Sequence, residues 1–175
     1  MTHNFPKDYY PAAERICALA AQKSLRGLVV ETCTGGLLSA LLSQVSGSSR
    51  YFLAGLTLYD NQIKTDLLAA DKALMIKKGA VSAEACQDLS QSALNLFPLA
   101  DFCLALTGIA GPQGGSIDKP VGLCYLNLQF HPRWAAQNKQ LCQHFCDQDR
   151  WLYRLEALHA ACALLESELA QFSRE

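Results

Sequence analysis

Residues 102–111 read Phe102-Cys103-Leu104-Ala105-Leu106-Thr107-Gly108-Ile109-Ala110-Gly111. The first six are almost continuously apolar, the pattern of a strand covered on both faces. The glycines beyond Thr107 end that strand and open a glycine- and proline-rich loop reaching Pro120. A strand buried on both sides needs helices above and below its sheet. The flanking sequence supplies them. Leu28-Val29-Val30 is a second short buried strand, and it runs into Glu31-Thr32-Cys33-Thr34-Gly35-Gly36 and a helix through Val45. Ser46 to Ser49 is a turn. Residues 51–59 suit a strand, and Asp60 or Asn61 caps a helix to about Ala69. Lys77-Lys78-Gly79 is a break, and Ser82 caps a helix over 83–96.

Further out, 121–129 and 139–146 read as strands, the second at an edge. The last helix, 149–172, carries a stripe of Trp151, Leu155, Leu158, Cys162, Leu165 and Leu169 that faces a core. An opening helix over 12–26 has Ile16, Leu19, Ala20 and Lys23 at helical spacing and Gly27 at its end. Residues 1–11 read as a loose extension or an arm. Strands alternating with helices define an α/β layered fold with a sheet at least partly parallel, in one domain over 12–175.

The chain has 175 residues, half of them hydrophobic, and a net charge of −1. That suits one domain with a sizeable core. No basic field favours nucleic acid, no apolar run approaches the roughly 20 residues of a membrane helix, and the first residues lack an apolar signal core. A cytoplasmic protein is expected, and a homo-oligomer by the habit of symmetric soluble proteins. The eight cysteines lie at 17, 33, 86, 103, 124, 142, 146 and 162, with no Cys-x-x-Cys. They read as buried reduced thiols. Cys142, His144 and Cys146 would share one strand face, but the two cysteines stand about 13 Å apart along it. Two sulfurs on one zinc lie within about 4.6 Å of each other, so no metal is expected.

Three segments bear chemistry. In Glu31 to Gly36, free backbone N–H groups at a helix start attract anions, and a hydroxyl there can attack a carbonyl; the plainer reading is that Thr32 and Thr34 only cap the helix. In 107–115, four glycines at a strand end suggest a backbone-lined cradle, or an ordinary long turn. In Tyr59-Asp60-Asn61-Gln62-Ile63-Lys64, Lys64 serves as a base if desolvated, or is a surface lysine paired with Asp60.

Together these segments resemble the CinA C-terminal family. The family's Glu-Ser-Cys-Thr-Gly-Gly is similar to residues 31–36, and its Gly-Ser-Ser with an aromatic to Gly47-Ser48-Ser49 and Phe52. Its Tyr-Ser-Asn-x-x-Lys resembles residues 59–64, and its Gly-Ala-Val-Ser matches 79–82. Gly-Ile-Ala-Gly-Pro-x-Gly-Gly and Lys-Pro-Val-Gly are met by 108–115 and 119–122. The resemblance, over about 14–168, implies a three-layer α/β/α sandwich with a mostly parallel or mixed sheet. It implies an amidase that hydrolyses nicotinamide mononucleotide (NMN) to nicotinate mononucleotide and ammonia, needing no cofactor.

On that resemblance Thr32 is the nucleophile, with Tyr59 and Lys64 as its proton-transfer partners. Glu31, Cys33, Thr34, Gly35, Gly36, Asn61, Gly108, Ile109, Ala110, Gly111 and Arg150 contact the nucleotide. Backbone N–H groups of 34–36 and 108–111 hold the oxyanion or the phosphate. The chain departs from the family in three places. Thr32 replaces serine, and its methyl stiffens χ1 and crowds attack. Asp60 replaces a small polar residue and favours a charged Lys64. Asp147-Gln148-Asp149-Arg150 replaces Ser-Gly-x-Arg, setting two acids near an anion site. The alternative is therefore a weakened or non-catalytic relative that binds a nucleotide and regulates or interacts. If the departures only blunt an intact site, Thr32→Ser combined with Asp60→Ser raises ammonia release from NMN; an unchanged rate sinks that account.

Overall fold

The computed structural model describes residues 9–135, 138–145 and 149–173. The elements run α1 (Tyr10–Gln22), β1 (Gly27–Glu31), α2 (Leu37–Ser43), a 3₁₀ turn (Ser48–Arg50), β2 (Phe52–Thr57), α3 (Asn61–Leu68), α4 (Lys72–Lys78) and α5 (Ala83–Leu96). They continue with β3 (Phe102–Gly108), β4 (Leu123–Phe130), β5 (Lys139–His144) and α6 (Arg150–Gln171). The sheet order is β2-β1-β3-β4-β5. β1 pairs parallel with β2 and β3, whereas β3–β4 and β4–β5 are antiparallel. The sheet is mixed and lies between two helical layers.

The two-residue period of the strands builds both cores. Val29, Leu104 and Leu106 join a cluster with buried residues of α1, α2 and α6. Leu28, Val30, Cys103 and Ala105 face the other way, against Leu68, Met75 and the α5 residues Ala85, Cys86 and Leu89. The α6 stripe is core-facing: Leu158, Cys162, Leu165 and Leu169 are buried. No described helix is long and apolar enough to cross a membrane.

Some boundaries differ from the sequence expectation. α1 starts at Tyr10, inside the stretch read as an extension, with Pro11 in its first turn; residues 1–8 lie outside the described residues. α1 also stops early, with Ser24 in the left-handed region (φ 51°). Gly27 begins β1 instead, because a Cβ there would lie 2.2 Å from the Phe102 ring. The break expected near Lys77 closes an unforeseen helix, α4, whose cap Asp71 accepts from Leu74 N.

The chain leaves β1 through α2, on one face, and returns from β2 to β3 through α3–α5 on the other. Connections that part to opposite faces open a crevice beyond the strand ends, the usual ligand position in open α/β sheets. Glu31, at the end of β1, is fully buried. Its Oε2 accepts from Thr34 Oγ1 at 2.7 Å and Leu38 N at 3.1 Å. Its Oε1 accepts from Ser39 N at 2.8 Å and Ser39 Oγ at 2.5 Å. A buried carboxylate is tolerated because the start of α2 satisfies it. Glu31→Gln keeps the shape but turns an N–H₂ towards those donors. It should cost about 2–4 kcal/mol, read as a lower urea midpoint at unchanged m-value.

Candidate functional site

A cleft of about 260 Å³ opens beyond the carboxyl ends of β1 and β3. Thr32 and Cys33 reach it from β1, and Tyr59, Asn61 and Lys64 from the junction of β2 and α3. Ala80 and Val81 come from the turn before α5, Thr107 to Gly111 and Gln113 from β3 and its loop, and Arg150 from the first turn of α6. Ten of the residues singled out by sequence thus share one cleft. The other four, Glu31, Thr34, Gly35 and Gly36, are not among its lining residues.

Those four shape the wall behind it. Gly35 and Gly36 take positive φ values of 61° and 92°, turning the chain from β1 into α2. Arg154 of α6 grips the Thr34 carbonyl with Nε at 3.0 Å and Nη2 at 2.7 Å, so the loop presenting Thr32 is tied to the last helix. Sequence reading gave Arg154 no part.

Lys64 is 3 % exposed, not a surface lysine. Its Nζ donates to Asn61 Oδ1 at 2.9 Å. Asp60 does not form the anticipated ion pair with it; the Asp60 carboxylate caps α3, accepting from Gln62 N at 2.7 Å and Ile63 N at 3.2 Å. Burial lowers the Lys64 pKa from its ordinary 10.5, against the opposing charges of Asp60 and Cys33. Desolvation therefore outweighs the Asp60 charge and moves Lys64 towards the neutral form a base requires.

Tyr59 sits at the mouth, 69 % exposed. Its Oη accepts from Arg150 Nη2 at 2.7 Å, while Arg150 Nη1 donates to Gly111 O at 3.0 Å. Arg150 thereby stitches the β2 end to the glycine loop and leaves a cation at the rim. Asp149, read as opposing an anion, spends its carboxylate on Trp151 N and Leu152 N at the start of α6. Asp147, Gln148 and Cys146 lie outside the described residues.

Within 108–111, the Ile109 N–H already donates to Leu123 O at 2.9 Å. That N–H is engaged by the backbone, while Ile109 still lines the cleft. The turn at 79–82, a motif without an assigned place in the sequence reading, forms another wall. Thr107 Oγ1 donates to Ala80 O at 3.0 Å. Lys119 Nζ donates to Lys78 O and, at 2.6 Å, to Val81 O. The Lys119–Gly122 motif is thus a clamp on that wall. Cys142 and His144 stand exposed on β5, and among the described residues no cluster of His, Cys, Asp and Glu could hold a metal ion.

A mixed α/β/α domain with a cleft at the switch point of its sheet is the class that fold and site define. The model of the CinA C-terminal domain matches residues 10–169, and the chain belongs to that family. A CinA-like protein of Geobacter sulfurreducens is 45 % identical over 113 residues, covering 65 % of this chain and 27 % of the relative. One from Leptospira borgpetersenii is 32 % identical over 156 residues, covering 89 % and 36 %. The chain spans about a quarter to a third of the length of such curated relatives. Among solved structures, the competence/damage inducible protein CihA of Agrobacterium tumefaciens superimposes with a TM-score of 0.87 at 32 % identity, covering 97 % of this chain and 99 % of that one. A CinA superfamily protein of Klebsiella pneumoniae gives 0.85 at 25 %, covering 93 % and 98 %.

A buried lysine with a depressed pKa makes the fold less stable wherever it must be protonated. The unfolded chain binds that proton more readily, so the penalty fades as pH rises from the depressed pKa towards 10.5. Lys64→Met should therefore melt above wild type at pH 7, with the gap narrowing towards pH 10.5. Parallel melting curves across that range would contradict the assignment.

Proposed function

We propose that this chain is an amidase that hydrolyses the carboxamide of NMN, giving nicotinate mononucleotide and ammonia. The observation that carries the reading is a lysine amine, buried at 3 % exposure, lining the same cleft as the Thr32 hydroxyl. A hydroxyl that shares a cleft with a desolvated amine is one arrangement that serves amide hydrolysis without a metal. Thr32 Oγ1 attacks the carboxamide carbon, neutral Lys64 takes its proton and returns it to departing ammonia, and water then cleaves the ester on Thr32. Backbone N–H groups of the loop after β1, or of Ala110 and Gly111, steady the oxyanion. Arg150, at the rim, meets the phosphate. Tyr59 orients Arg150 through its hydroxyl.

A nucleotide-binding relative without turnover is the second reading, and one observation favours it. Lys64 Nζ is held by Asn61 Oδ1 at 2.9 Å. Proton transfer needs the amine to turn towards the Thr32 hydroxyl, a tightening that substrate often brings about.

Purified protein incubated with NMN should release ammonia, and Thr32→Ala should slow that release at least about 10³-fold. A melting temperature raised by NMN with no ammonia selects the second reading. Neither a shift nor ammonia rejects both.

A further inference from the structure

A buried lysine is ordinarily held by a carboxylate, because an ammonium removed from water needs an anion beside it. Lys64 is buried and is held by an amide instead. Its Nζ donates to Asn61 Oδ1 at 2.9 Å, and none of the residues lining the cleft carries a carboxylate. The neighbouring acids are turned elsewhere. Asp60 caps α3 through Gln62 N and Ile63 N. Glu31 is spent on Thr34, Leu38 and Ser39 at the start of α2, and Asp149 on the start of α6. The other titratable or charged groups that line the cleft are Cys33, Tyr59 and Arg150, and Tyr59 is engaged with Arg150.

The spacing in the chain makes this pair. Asn61 opens α3 directly after its Asp60 cap. Lys64 follows three residues later, so the two side chains share a face of the helix, and both line the cleft. A neutral amine has two N–H groups and one lone pair. With one N–H fixed on the Asn61 oxygen, the lone pair is directed away from Asn61 and is free to meet the Thr32 hydroxyl of the same cleft. The amide oxygen accepts that bond without adding a negative charge. Burial is left to dominate, and it keeps the Lys64 pKa lowered against the charges of Asp60 and Cys33.

We propose that Asn61, which the family resemblance gave to the nucleotide, is a positioning residue for the base: it anchors the Lys64 amine by one N–H and, being uncharged, bonds it without an anion that would hold it protonated. Asn61 then acts through Lys64 and not on the substrate. Its effect on turnover rests on the amidase reading, whereas the anchoring of the amine does not.

The test compares the full wild-type chain with Asn61→Asp and Asn61→Ala from about pH 6 to pH 10.5. Asn61 is exposed, so neither change reaches the core. Asn61→Asp keeps the shape and the acceptor but sets a carboxylate against Nζ. An opposite charge that close favours the ammonium, so the pH at which Lys64 loses its proton should rise by about 1–3 units. That titration is read directly from the side-chain NMR signal of Lys64, identified by its loss in Lys64→Met. The acid limb of kcat/KM for NMN should move up with it. Ammonia release by Asn61→Asp should fall at least about tenfold at pH 7 and return towards the wild-type rate as pH rises. Asn61→Ala should lose about 10–100-fold in kcat, with KM within about twofold, and alkaline pH should not restore it. A Lys64 titration unmoved by Asn61→Asp overturns the proposal. So does an Asn61→Ala loss that lies wholly in KM, which returns Asn61 to the nucleotide. Wild-type protein without turnover at any pH counts against the amidase reading, and the Lys64 titration then decides the anchoring alone.

Discussion

The Glu31 carboxylate, fully buried beneath the start of α2, is the constraint from which the site follows. It is held by two backbone N–H groups and two hydroxyls. An unpaired charge there would cost several kcal/mol, so the chain after β1 has one acceptable course. The carboxylate draws Thr34 inward, the two glycines turn the backbone, and Thr32 and Cys33 are left facing the cleft. A residue outside the cleft lining thereby sets the position of two that are in it.

The opposite walls obey the same logic with cations. Arg154 holds the Thr34 carbonyl, Lys119 holds the Lys78 and Val81 carbonyls, and Arg150 joins Tyr59 to Gly111. Each places a charged donor on carbonyl or hydroxyl oxygens that an irregular segment leaves unpaired, and hydrogen bonds to charged donors are the stronger kind. Loops that would otherwise be mobile become fixed walls, which a cleft working by positioning requires.

Legibility from sequence followed the range of the interactions. The apolar run 102–107 and the short run 28–30 announced buried strands because two-sided burial is written locally. α5 was legible at both ends, since Ser82 caps it by accepting from Ala85 N. α4 was missed because a seven-residue helix carries too little periodicity, although Asp71 supplies its cap. Gly27 was misread as a helix stop because the ring that demands glycine there belongs to Phe102, 75 residues away in the chain. For the site, the lining segments were legible as motifs, whereas their electrostatics were not. Lys64 and Asp60 lie one turn apart and looked like a pair. Only tertiary burial of the amine, and the use of Asp60 as a cap, separate them. Arg154 and Lys119 act on carbonyls 120 and 38 residues away, and no local pattern marks such bonds.

The ties made by α6 also order events in time. Its first turn closes contacts with Tyr59 and Thr34 across 91 and 120 residues. Loops that long are entropically dear and close late. On a ribosome, β1, β2 and β3 emerge well before this helix, and until it docks one face of the sheet lacks its cover and the cleft lacks both a rim and a back wall. A chain stalled before residue 150 is therefore short of core and of cleft at once.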